Sequence, residues 1–146
     1  MTKGSYVLLL RLKKHRRLTV GKLGAFEFPR GYYLYFGSAQ GGLESRIQRH
    51  LREDKKRHWH IDFLTAVAPV IEVSSVVGTG KSECTWARAA LELSDAAVPA
   101  PGFGSSDCSC RTHLVHLPVS RGDVDAARLK ILEGDDAAAG PRSGSL

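Results

Sequence analysis

The chain has 146 residues, of which 42% are hydrophobic and 25% charged, a balance that points to one soluble globular domain over residues 1–133. No apolar stretch approaches the ~20 residues of a membrane span, and the N-terminus lacks a signal-peptide apolar region with a small-residue cleavage site. A cytoplasmic protein with no membrane partner is therefore expected, and its net charge of +6 favours an anionic partner.

In chain order, Ser5 to Leu12 read as a buried strand. Lys13 to Arg16 make a polar turn, and Leu18 to Val20 return as a second strand. Gly21, Gly24, Pro29 and Gly31 then break the chain, until Tyr32 to Phe36 form a strand rich in aromatic residues. Residues 43–52 read as a helix with Leu43, Ile47 and Leu51 on one stripe, and His60 to Val67 as a shorter one that Pro69 stops. Val70 to Val77 are β-branched and strand-like, and a helix runs from Ser82 to about Leu93. A loop beginning at Pro99 leads to a short strand at 113–117, and Asp123 to Leu132 form the last helix. From Gly134 on, small residues dominate and no core pattern survives, so residues 134–146 are expected to be a disordered tail. Strands interleaved with helices indicate an α+β fold, a small sheet with helices packed on it.

Two basic runs stand beside aromatic residues. Lys13, Lys14, Arg16 and Arg17 form the first; Arg46, Arg49 and Arg52 lead the second, with His58, Trp59 and His60 close behind. Such clusters suit a polyphosphate backbone, because neutralising it releases counterions. A solvated turn and a solvated helix face are the plainer account.

Side-chain direction narrows the site. Alternate residues of a strand share a face, so Gly4 goes with Tyr6, and Tyr33 with Tyr35 and Gly37. Paired strands then bring Tyr6 beside Tyr35, with glycines where a backbone or ligand approaches. On the following helix Arg46 and His50 lie four apart on one side, flanking the apolar stripe, while Arg49 and Arg52 turn towards water. Arg46 is the position best suited to a phosphate, with a salt bridge to Glu44 or Asp62 as its structural alternative. Glu83, in the first turn of the next helix, shares a small-residue face with Ala87 and Ala90. It suits a hard divalent cation, although the helix macrodipole alone also favours an acid there.

Gly4-Ser5-Tyr6, Tyr35-Phe36-Gly37-Ser38-Ala39, Arg46, His50 and Glu83 fall in an order that resembles the GIY-YIG endonuclease superfamily. The segment from Gly4 to about Leu117 is similar to its small Uri-like branch, through the run from Gly31 to Ala39, His58 to Asp62, Gly102 to Cys110 and His113-Leu114. Ser5 stands where that family usually has Ile, on the face away from Tyr6, and Lys13–Arg30 form a longer insertion expected to contact nucleic acid. The resemblance implies an α/β sandwich around a central three-stranded antiparallel sheet. It also implies Mg²⁺- or Mn²⁺-dependent hydrolysis of phosphodiester bonds, in DNA rather than RNA, in a repair or processing role. Glu83 then holds the metal, Arg46 the phosphate, and Tyr6 is the base or water-orienting group beside Tyr35, with His50 as a rival base. A non-catalytic nucleic-acid-binding module, or a partner subunit of a repair enzyme, is the alternative.

Three cysteines cannot form a complete disulfide framework. Cys84, Cys108, Cys110 and His113 offer four zinc ligands if the loop folds back onto the helix that carries Cys84. Their spacing is not that of a paired C-x-x-C finger, so the sequence favours packed free thiols over a structural zinc.

Overall fold

A computed structural model describes residues 3–52, 56–57, 59–78, 82–93, 95–105, 108, 110–118, 121–136 and 142–143. The first strand, β1 (Gly4–Leu12), is the centre of the molecule. Its run of apolar residues is buried on both faces, which explains why it reads as continuous rather than alternating. β2 (Arg16–Val20) and β3 (Gly24–Phe28) pair as a separate two-stranded hairpin, and β4 (Gly31–Ala39) returns alongside β1. Then come α1 (Leu43–Leu51), α2 (His60–Thr65), β5 (Val70–Val77), α3 (Ser82–Leu91), β6 (Leu114–Leu117) and α4 (Arg121–Asp136). A two-residue β7 (Arg142–Ser143) follows.

The fold is α+β with an antiparallel sheet, but that sheet has four main strands, β6-β4-β1-β5, rather than the expected three. The fourth is Leu114–Leu117, an apolar segment that pairs with Tyr32–Tyr35 and covers that stretch of the β4 edge. β7 lies beyond β5, pairing with Ser75 and Val76. It falls within the segment expected to be a disordered tail, and α4 also continues past Leu132 to Asp136.

The two faces of the sheet carry separate cores. Tyr6, Leu8, Leu10, Tyr33 and Tyr35 face one way, against residues of α1, α2, the β2–β3 hairpin and Phe103. Val7, Leu9, Leu34 and Phe36 face the other, against Trp86, Ala87 and Ala90 of α3 and Val124, Ile131 and Leu132 of α4. Ala87 and Ala90 are fully buried, so the small face of α3 does bring that helix close to the sheet.

Two local expectations are corrected. Gly24–Phe28 is a strand, not broken chain: Phe26 and Phe28 turn inward while Glu27 stays in water, an alternation that pairs with β2. On α1 the buried stripe is Leu43, Ile47 and His50, and Leu51 is 37% exposed. Seven residues complete nearly two helical turns, so His50 follows Leu43 more closely in direction than Leu51 does. Among the described residues, no helix is long and apolar enough to cross a membrane.

Candidate functional site

β6 pairs with β4 only as far as Tyr35, and a backbone bond from the Phe36 N–H to the His113 carbonyl (3.0 Å) ends the contact. Beyond it, Gly37 and Ser38 line a pocket of about 450 Å³ together with Tyr6, Tyr35, Arg46, Trp59, His60 and Glu83. Residues from both sides of the sheet meet there: Tyr6 and Arg46 from the α1 side, and Glu83 from α3.

The register places Tyr6 opposite Gly37, with Tyr35 opposite Leu8 on the same face. A Cβ at Gly37 would overlap the Tyr6 ring and hydroxyl, so the glycine is required by that ring's position. The Tyr6 hydroxyl lies 2.7 Å from Nε2 of His50, whose imidazole is surrounded by the rings of Tyr6, Tyr35 and Trp59. Burial raises the Tyr6 and Tyr35 hydroxyl pKa values well above the ordinary phenol range. For both, the positive charge of Arg46 opposes that effect, while Glu83 and Asp62 add to it.

Arg46 does not pair with Glu44 or Asp62. Its Nη1 donates to the Ser38 carbonyl (3.1 Å), and its guanidinium lies 4.7 Å from the centre of the Trp59 ring. Guanidinium carries five N–H donors, so several are left for an anion in the pocket. The partner of Asp62 is Arg49, expected instead to face water: its Nη1 and Nη2 each lie 3.0 Å from a carboxylate oxygen. Asp62 also accepts the Trp59 backbone N–H (2.9 Å), at the start of α2. Trp59 thus has two guanidiniums over its ring, Arg46 at 4.7 Å and Arg49 at 4.2 Å from its centre, a contact that no spacing in the sequence announces.

Glu83 reaches the pocket as expected, and its Oε2 is buried with no hydrogen-bond partner among the described residues. A buried carboxylate oxygen without a donor is costly unless a cation or proton meets it. His60 also lines the pocket; its Nδ1 accepts the Gly104 N–H (2.8 Å), and burial lowers its pKa. His58 lies outside the described residues.

The remaining basic residues are elsewhere. Lys13, Lys14, Arg16 and Arg17 are exposed around the β1–β2 turn and β2, where Arg17 pairs with Glu27 at 2.7 Å, and Arg52 is exposed just after α1. Arg11, Lys13, Arg30 and Tyr32 border a second pocket of about 340 Å³ at the opposite end of the β1–β4 pair. Arg11 lies two residues before the first basic run and Arg30 apart from it, and only the β1–β4 pairing brings the two together.

Cys84, Cys108, Cys110 and His113 come together beside the main pocket, and their ligand atoms all lie within 4.8 Å of one another, an arrangement that can hold a metal ion such as zinc. The three thiols are half-buried or exposed rather than packed into the core, and the loop folds back onto the helix that carries Cys84, as a four-ligand site requires. Burial pushes the Cys84 thiol up to about 12, with hydrogen bonds that it donates to Cys110 and Cys108 adding to the rise, and burial lowers His113.

Searches of curated proteins and of solved structures find no significant match. Residues 5–132 do match a family model, covering every element from β1 into α4. The chain therefore belongs to the family described as domain of unknown function DUF123.

Proposed function

We propose that the chain is a divalent-metal-dependent endonuclease of the GIY-YIG type that hydrolyses phosphodiester bonds in DNA. The observation that carries the reading is the convergence of the Tyr6–His50 pair, Arg46 and a donorless Glu83 carboxylate oxygen around one pocket. A protein that only bound nucleic acid would have no use for a carboxylate in a phosphate-facing pocket.

Glu83 would hold Mg²⁺ or Mn²⁺, hard cations that prefer carboxylate oxygen. When bound, the ion supplies positive charge against the electron density that builds on the phosphate oxygens. Arg46 binds the scissile phosphate with the donors that Ser38 leaves unused, and the Trp59 face holds the guanidinium in position. The Tyr6 hydroxyl takes the proton of the attacking water as its own proton passes to Nε2 of His50, while the water oxygen bonds to phosphorus and the ester oxygen leaves. His50 is only 2% exposed, so it acts through the phenol. The exposed residues Lys13, Lys14 and Arg16 give the strand a sequence-independent basic contact.

A panel of labelled single-stranded, duplex, flap and RNA substrates, incubated with Mg²⁺ or Mn²⁺, tests the reading. Cleavage of at least one DNA substrate is expected, abolished by Glu83→Ala and by Arg46→Ala. Glu83→Ala should still bind DNA, because a negative charge has left the pocket. Full activity in either variant overturns the assigned site. Binding with no cleavage of any substrate replaces this reading with that of a nucleic-acid-binding module.

A further inference from the structure

We propose that Cys84, Cys108, Cys110 and His113 bind one Zn²⁺ in a closed tetrahedral site that fastens the first turn of α3 to the loop preceding β6. The ligand distances already suit the ion. With Zn–S near ~2.3 Å and Zn–N near ~2.0 Å, a tetrahedron sets sulfur and nitrogen about 3.5 Å apart. His113 Nε2 lies 3.6 Å from the Cys84 sulfur and 3.4 Å from that of Cys108.

Three thiols and an imidazole form a soft donor set, which selects zinc over the hard cations that suit Glu83. Four protein ligands leave no open position, so the ion is structural rather than catalytic. Cys108 is exposed, which gives the metal a way in, whereas His113 is buried.

The backbone prepares the site. The His113 N–H donates to the Phe103 carbonyl (2.8 Å) and its carbonyl accepts the Phe36 N–H (3.0 Å), so the imidazole is anchored between loop and sheet. Gly104, at a positive φ of 72°, lets the loop pass where a Cβ would stand 2.9 Å from Tyr35 Cε1 and 3.2 Å from the Cβ of His113. Its N–H meets His60 across the pocket. Cys84 directly follows Glu83, so the zinc fixes where Glu83 stands relative to the Gly104–His60 wall. This role needs no nuclease activity to be detected.

Full-length protein produced with zinc present and purified without chelator should carry about one zinc per chain. Its thiols should resist a thiol reagent until a chelator is added. Replacing zinc with Co²⁺ should give the intense visible bands and sulfur-to-cobalt charge transfer of a tetrahedral thiolate site. Cys108→Ser, with Cys110→Ser as a second variant, should lose most of the metal and lower the melting temperature. If those variants fail to fold, the cobalt spectrum of the unmodified protein decides. Metal-free protein whose three thiols react in the native state, a disulfide among them, or iron in place of zinc would each overturn the proposal.

Discussion

The hydroxyl of Tyr6 and Nε2 of His50 are 2.7 Å apart, and each residue is only 2% exposed. One comes from the central strand and the other from the buried stripe of α1, so packing of the core itself sets their contact. Burial alone makes the Tyr6 phenol a weaker acid, and the charge of Arg46 only partly offsets this. For the proposed reaction, a phenol so placed needs a proton acceptor within reach, and Nε2 of His50 is at hydrogen-bond distance to serve as one. In the proposed mechanism Tyr6 and His50, which the sequence left as rival bases, act as successive members of one relay.

The relay predicts non-additive kinetics. Tyr6→Phe and His50→Ala should each lower the single-turnover cleavage rate by about 10²–10⁴-fold. The double variant should be no slower than the worse single one, because either change interrupts the same transfer. Multiplying losses would separate the two roles, and a mild Tyr6→Phe effect would leave His50 acting alone.

Gly37→Ala should reproduce much of the Tyr6→Phe defect without touching a titratable group. The new methyl overlaps the Tyr6 ring and hydroxyl, which must swing away from His50. Overpacking of this kind costs about 1–3 kcal/mol, so the fold should survive with a lower denaturation midpoint. Wild-type cleavage by this variant would show that the position of Tyr6 does not matter to the reaction.

How much of this was legible in the sequence depended on whether the signal was local. β1 could be read because burial on both faces left an unbroken apolar run, and β4 because its aromatic residues cluster. The β3 strand was hidden by flanking glycines, although the Phe26, Phe28 alternation was present. Tyr6, Arg46 and Glu83 were found as residues, but their meeting depends on where β6 stops pairing with β4, which no local pattern encodes. The Arg49–Asp62 pair spans 13 positions and the Cys84–His113 contact 29, and chain topology rather than spacing decides both.

The Arg49–Asp62 pair should be a strong point of stability. The Asp62 side chain is fully buried, while that of Arg49 is 23% exposed and lies against Trp59. Asp62→Ala leaves a partly buried guanidinium without its carboxylate and removes the acceptor of the Trp59 N–H, a loss of about 3–5 kcal/mol in urea unfolding. Asp62→Asn keeps one acceptor and should fall between. A change under about 1 kcal/mol in Asp62→Ala would place the pair among exposed, weakly coupled bridges.

His60 should make stability fall in mild acid. Its Nδ1 accepts the Gly104 N–H at 2.8 Å, which requires an unprotonated nitrogen, and burial lowers its pKa below the ordinary value. The unfolded chain takes up the proton near pH ~6.5, before the folded protein does. Its contribution is therefore complete above that pH and is lost as the pH drops towards the lowered folded value. His113 shifts in the same direction, so the informative quantity is the difference between the wild type and a His60 variant. His60→Asn offers an amide oxygen to Gly104 but cannot be protonated. Its unfolding midpoint should fall less than that of the wild type between pH 7.5 and pH 5 (conditions chosen to bracket about pH 6.5). Equal losses in the two proteins would mean that His60 is not the group whose protonation opposes folding.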